Sequence, residues 1–306
     1  MNEYPLSILI GIYYAIVGLL IGSFLNVCIY RIPIKISIVK GNKGHSFCPE
    51  CKHDLNALDL VPLFSYIFLR GKCRYCKAPI SIRYPLVEGL TSLSYLLSFL
   101  CYGFSSQSII LCAFFSVLIV MAFIDYDTQI VFDRFHIIII GLGILSYVLP
   151  LITHEDEFLG LSILDRIIGL FAATVPLLII IYIYYKFLHK DGMGGGDIKM
   201  FGACGFFLGW KLILLTLLIS SVIGAVFGVI FLLKNAQSLD EESDAKDEAS
   251  IDDEKSDVKD EANIGDEEID VSSPKFAFVP CIAIGCAITA LFGNSLINWY
   301  LALFQF

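Results

Sequence analysis

Charge is scarce along most of this chain. Only 17% of its 306 residues are Asp, Glu, Lys or Arg, while 57% are hydrophobic and the mean hydropathy is +0.76. Soluble domains hold about 45–50% apolar residues, so this composition excludes a soluble globular protein and calls for one embedded in a bilayer. No basic region precedes the first apolar run, Leu6 to Tyr30, and that run is longer than the apolar core of a signal peptide. It therefore reads as a retained span. No Gly-Lys-Ser/Thr follows the glycines at 192 and 194–196, which argues against a phosphate-binding loop.

The charges that are present are segregated. The net charge of -9 is concentrated in residues 240–270, which hold 16 acids against 3 lysines, and the rest of the chain is positive by 4. Between Arg31 and Arg83 lie 10 of the 21 Lys and Arg residues against three acids, Glu50, Asp54 and Asp59. Such an excess places a segment on the cytoplasmic side.

Apolar runs long enough to cross a bilayer fall near 6–30, 84–104, 107–124, 135–152, 164–188, 211–234 and 276–304, with a shorter run at 198–209. The expected fold is an all-α polytopic membrane protein of about eight transmembrane helices with a small cytoplasmic zinc-binding module. Its parts are a first span (1–30), the basic module (31–83), a transmembrane core (84–234), an acidic cytoplasmic loop (235–275) and a last span (276–306). The loop, taken over 236–273, has no aromatic residue and is expected to be disordered, since it cannot bury enough apolar surface to offset its ordering entropy. With the basic module inside, the loop at 153–157 falls outside. The fifth span then returns Lys186, His189 and Lys190 to the cytoplasmic side.

Cys48-Pro-Glu-Cys51 and Cys73-Arg-Tyr-Cys76 form two CxxC knuckles separated by 21 residues. Four thiolates at this spacing close a tetrahedral site, and in a cytosolic loop zinc is the expected ion. With every position filled by protein, the metal is structural rather than hydrolytic. The other six cysteines, Cys28, Cys101, Cys112, Cys204, Cys281 and Cys286, stand in apolar stretches and read as packing thiols.

Two aspartates, Asp125 and Asp197, stand where apolar runs end, the second closing Gly192-Met-Gly-Gly-Gly-Asp197. The topology puts both on one side of the membrane. Carboxylates at a membrane margin are costly and usually functional. Two brought close share a proton, so one can activate a water while the other polarises a scissile carbonyl. Asp127 and Asp133, in the same segment as Asp125, read as solvated interfacial acids. Lys199 reads equally as a partner for Asp197, a holder of a substrate carboxyl, or a snorkelling lysine.

At these residues the chain resembles the type IV prepilin peptidases, bifunctional leader peptidases and N-methyltransferases of the GxGD aspartyl protease class. The resemblance rests on Gly22-Ser-Phe-Leu-Asn-Val-Cys-Ile-Tyr-Arg-Ile-Pro33, the double CxxC, Ile82-Arg-Tyr-Pro-Leu-Val-Glu88, Phe123-Ile-Asp125 and Gly192-Met-Gly-Gly-Gly-Asp-Ile-Lys199, in family order. It departs from the family where Phe132, instead of proline, precedes Asp133, and the acidic loop looks like an insertion.

The resemblance implies a multi-pass enzyme of the bacterial inner membrane with its active site facing the cytoplasm. It would cleave the basic leader of type IV prepilins or pseudopilins after Gly, then methylate the new amino terminus with S-adenosylmethionine, serving type IV pili or type II secretion. Carried over by position, Asp125 and Asp197 are the catalytic pair and Cys48, Cys51, Cys73 and Cys76 hold structural zinc. Prepilins and the lipid bilayer are the expected partners, and no nucleic acid. No strand-turn-helix with a glycine fingerprint marks the S-adenosylmethionine site, so its residues are unassigned and the basic module is the candidate host. A polytopic transporter or a non-catalytic zinc-binding assembly scaffold are the alternatives.

Overall fold

Inside a bilayer the peptide groups of an apolar run find no water and must close their hydrogen bonds internally, which favours helices. The structure, a computed structural model, describes residues 4–37, 48, 50–153, 158–188, 194–249 and 277–304. Ten α-helices and no strand are found among them. They are α1 (Tyr4–Arg31), α2 (Phe64–Phe68), α3 (Arg83–Tyr102), α4 (Ser106–Thr128), α5 (Asp133–Thr153), α6 (Ile163–Ala172), α7 (Thr174–Leu188), α8 (Gly195–Leu208), α9 (Trp210–Ala249) and α10 (Val279–Phe304). Two compact units are distinguished, Met1–Ser220 with Ala277–Phe306, which carries the candidate site, and Ser221–Phe276.

Among the described residues six spans are long and apolar enough to cross a membrane: α1, α4, α5, α6 with α7, the first part of α9, and α10. The other two runs in the expected eight are α3 and α8. α3 has 20 residues but buries Glu88, Thr91 and Ser98 along its length. α8 has 14 residues, or about 21 Å of rise, against a hydrocarbon core of about 30 Å.

Both nevertheless connect the two ends of the bundle. At one end Arg83 of α3 pairs with Asp127 of α4, Gly196 of α8 abuts Val131, and Lys199 reaches Asp133 of α5. At the other end α3 hands over to α4 through the capping box of Ser105 and Ser108, and Gly209, just past α8, lies against Leu161. There Trp210 Nε1–H donates to Asp165 at 3.0 Å.

Lipid tails are as apolar as the helices, so packing depends on close approach rather than on exclusion of water. Small residues supply it. Gly18 and Gly22, spaced GxxxG on α1, lie so near α3 that an added Cβ would fall 2.6 Å from Ser92 Cα and 2.7 Å from Glu88 Cα. Gly169 of α6 and Gly205 of α8 touch backbone to backbone, with Cβ positions 2.2 and 2.1 Å from the opposing carbonyl oxygens. Gly205→Leu should force these helices apart. Overpacking of this kind costs about 1–3 kcal/mol, and a lower midpoint of thermal unfolding in detergent is the expected reading.

Phe207 of α8 stacks on Phe114 of α4 with centroids 4.0 Å apart. Arg166, fully buried on α6, donates to the carbonyls of Gly143 on α5 and Phe207 on α8 at 3.2 and 3.3 Å, tying three helices together.

One expectation needs correction. The acidic segment 236–273 does not begin as disordered chain, because α9 continues to Ala249. Its first part, 236–249, holds three Ala and three Glu, good helix formers that can extend a helix already nucleated by the apolar run before it. Residues 250–273 lie outside the described residues, as do 154–157 of the expected outer loop and His189, Lys190, Gly192 and Met193. Of the six unpatterned cysteines, Cys28, Cys112, Cys204, Cys281 and Cys286 are buried and Cys101 is exposed.

Candidate active site

Asp125 lies in the last turn of α4. The helix stops at Gln129, which adopts the left-handed conformation (φ 54°) and donates its N–H to the Asp125 carbonyl at 2.8 Å. The Asp125 side chain is 5% exposed, and its Oδ2 accepts the N–H of Val279 at 3.2 Å. Val279 opens α10, so the carboxylate satisfies one of the donors that every helix start leaves unpaired. That bond fixes the orientation of Asp125.

Asp197 sits in the first turn of α8, donating its N–H to the Gly194 carbonyl at 3.1 Å. Its Oδ2 folds back to within 3.5 Å of where a Cβ on Gly194 would stand. Gly196 sets the position of this turn. A Cβ there would fall 2.8 Å from Val131 Cβ, so only glycine lets α8 begin directly against the α4–α5 connection. Gly195, by contrast, has nothing within 4 Å of its Cβ position. The result is that α4 and α8, formed by runs far apart in the chain, bring Asp125 and Asp197 to the same end of the bundle.

The other acids at this end are neutralised by cations. Asp127 is bound by the Arg83 guanidinium. Asp133 accepts from Lys199 Nζ at 2.7 Å. Both are thus ion-paired rather than merely solvated, and Lys199 is engaged by Asp133. Among the described residues neither Asp125 nor Asp197 has a cationic partner. Next to Asp133 lies His136, its side chain only 7% exposed and its Nδ1 3.7 Å from Asp133 Oδ1. It lines an apolar groove between α5, α6–α7 and α8. Sequence reading missed it, because a lone His early in an apolar helix has no distinguishing pattern.

The four knuckle cysteines converge, with all four Sγ atoms within 4.8 Å of one another and Cys48 Sγ 3.9 Å from Cys76 Sγ. Tetrahedral zinc with bonds of about 2.3 Å requires sulfurs about 3.8 Å apart, so the donor set fits the ion. The two knuckles share one turn. Lys52 and Lys77, each just after its CxxC, have positive φ (58° and 63°) and donate to the carbonyls of Cys48 and Cys73 at 2.9 and 3.1 Å. Backbone N–H groups of Cys76 and Tyr75 draw the Cys73 thiol down to about 7, while burial and the neighbouring cysteines push Cys76 up to about 11, as four thiols crowded without a cation must do. Asp59 braces the second knuckle, accepting from Arg74 Nε at 2.6 Å and Tyr75 Oη at 3.2 Å.

Residues 16–102, with the four cysteines, match the Bacterial Peptidase A24 N-terminal domain. Residues 112–229, with both aspartates, match the Type IV leader peptidase family. The chain belongs to the type IV leader peptidase family. Relatives of this leader peptidase carry the name prepilin leader peptidase/N-methyltransferase. That of Legionella pneumophila is 30% identical, covering 94% of each chain, and that of Aeromonas hydrophila is 31% identical, covering 96% of this chain and 95% of its own. The Neisseria gonorrhoeae protein is 34% identical over 71% of this chain and 80% of its own. No solved structure matches. The leader peptidase is accordingly a membrane enzyme with protease and methyltransferase parts.

Proposed function

We propose that this leader peptidase cleaves the basic leader of type IV prepilins or pseudopilins after Gly and then methylates the new terminal amine. Asp125 and Asp197 are the catalytic pair. The observation that carries the assignment is that, of the four aspartates that α4, α5 and α8 bring to this end of the bundle, Asp125 and Asp197 have no cationic partner among the described residues, while Asp127 and Asp133 are neutralised.

Hydrolysis by such a pair needs one carboxylate ionised and one protonated. The ionised one takes a proton from water as the oxygen attacks the scissile carbonyl. The protonated one donates to the carbonyl oxygen, giving a tetrahedral diol. As the diol collapses, the carboxyl that took the water proton gives it to the leaving nitrogen, the other, now ionised, takes a proton from a diol hydroxyl, and the C–N bond breaks, so the leader's new carboxyl group and a free amine are released and the pair returns to its starting state.

The excess of Lys and Arg in 31–83, together with Arg31 and Arg83 at the same end as both aspartates, supports a bacterial inner-membrane protein with its active site facing the cytoplasm. Zinc, held by Cys48, Cys51, Cys73 and Cys76, would lock the fold of the basic module. S-adenosylmethionine would supply the methyl group. A transporter fits less well, since the acids stand at the end of the bundle rather than at mid-depth, and a scaffold would have no use for two buried acids without a cationic partner among the described residues.

Two glycine variants test how the site is placed. Gly196→Ala should displace the start of α8 from Val131 and lower leader release on the order of 10²-fold, as small misplacements of catalytic groups do. Gly195→Ala should change it little. Rates of prepilin cleavage in proteoliposomes, read by mass spectrometry, separate these outcomes, and equal loss in both variants would show that packing at Gly196 does not set the site.

A further inference from the structure

The basic module 31–83 carries an apolar surface that a water-facing module would not. Leu58, Phe64, Ile67 and Phe68 are 70, 54, 60 and 82% exposed, comparable to Leu9 and Leu93 on the spanning helices at 63 and 52%. This surface does not face away from the bundle. Leu63, Phe64 and Ile67 line a groove of ≈ 300 Å³ whose other wall is Leu19 of α1 and Leu93 and Leu96 of α3.

The level of that contact is set by α3. Arg83, held by Asp127, marks the end of the bundle. At 1.5 Å per residue Glu88 and Leu96 lie about 8 and 20 Å along the helix from it. α2 therefore stands beside the part of α3 that lies about 8 to 20 Å in from the end of the bundle.

The local backbone is built for such a place. The chain reverses at both ends of α2, at Leu63 (φ 63°) and at Arg70 and Gly71 (φ 52° and 68°). Irregular backbone at membrane depth must have its polar groups satisfied by protein. Here the Leu63 N–H donates to the carboxylate of Glu88, itself 7% exposed, at 2.7 Å, and the N–H groups of Leu69, Arg70 and Gly71 donate to carbonyls of Ser65, Ile67 and Tyr66. Arg70, Lys72 and Arg74 follow directly, where the chain leaves for the headgroup level.

We propose that Leu60–Phe68 is a re-entrant segment seated among the acyl chains of the bilayer leaflet at the Arg31 and Arg83 end, with Glu88 as its latch. The zinc module is thereby anchored in the membrane instead of standing free beside it. The inference does not depend on the reaction. It does account for how a methylating module would meet an amine released at the membrane surface.

The test uses the full chain in proteoliposomes with Trp210 and Trp299 replaced by Phe and one reporter tryptophan introduced. Phe68→Trp is the probe, Leu20→Trp on the exposed face of α1 the lipid-facing control and Glu50→Trp the aqueous control. Brominated phospholipid should quench the probe at 68 about as strongly as that at 20, and iodide should quench it several-fold less than that at 50. A probe at 68 that follows the one at 50 overturns the proposal. So does shielding from both quenchers, which would give the face to a second copy of the chain, or loss of bromolipid quenching on adding prepilin, which would give it to the substrate. Glu88→Gln, which keeps an acceptor for Leu63, should leave the quenching pattern intact, and Glu88→Leu should move the probe toward iodide.

Discussion

Asparagine at position 125 or 197 is expected to abolish leader release while leaving the protein inserted, zinc-loaded and able to methylate a substrate that already lacks its leader. The size of the loss follows from chemistry. General acid–base groups contribute about 10²–10⁴-fold each, and members of a unit are not additive, since neither carboxylate can do its half of the proton transfer without the other. Each single variant should therefore fall by on the order of 10³-fold or more. Asn preserves shape, and at 125 its side-chain oxygen can still accept the Val279 N–H, so α10 should keep its anchor. Methyl incorporation into a pre-cleaved pilin peptide, measured beside zinc content, checks the separation. Loss of both would mean that the substitution had unfolded the enzyme.

The converse is expected of the knuckles. Cys48→Ser or Cys73→Ser removes one of four sulfurs that converge within 4.8 Å, and three remaining ligands hold structural zinc far less well. Zinc binding is folding free energy for small modules of this kind, so the metal content should drop from about one equivalent to near none and methylation should fall with it. Cleavage should decline less, because the carboxylate pair stands on α4 and α8. Zinc analysis with paired cleavage and methylation assays would check this, and full methylation by metal-free protein would contradict it.

Much of this architecture was legible because its causes are local. Apolar runs of span length, a four-thiol set with knuckle spacing, and two acids at run ends each carry their meaning in a short stretch of chain. What was not legible depends on pairings between distant segments. Asp127 and Asp133 look alike in the sequence, and only the arrival of Arg83 and Lys199 shows that each is neutralised. Arg166 gives no sign that its partners are two carbonyls on other helices. Gly196 differs from Gly195 solely through Val131. The continuation of α9 to Ala249 was hidden by composition, since acidic residues that favour disorder in isolation also favour helix once a helix is under way. The basic charge of 31–83 likewise concealed the exposed apolar residues of α2.

The central claim is that Asp125 and Asp197 act as one pair and that the neighbouring acids do not share their role. A carboxylate scan tests it most directly: leader release from a prepilin substrate by wild type, Asp125→Asn, Asp127→Asn, Asp133→Asn, Asp197→Asn and the Asp125→Asn/Asp197→Asn double variant, in one proteoliposome assay read by mass spectrometry. The expected result is that 125, 197 and the double variant are equally silent, while 127 and 133 stay within about tenfold of wild type, the scale of losing a partly exposed ion pair. Activity surviving in Asp125→Asn or Asp197→Asn, or silence in Asp127→Asn or Asp133→Asn in a folded protein, would contradict it.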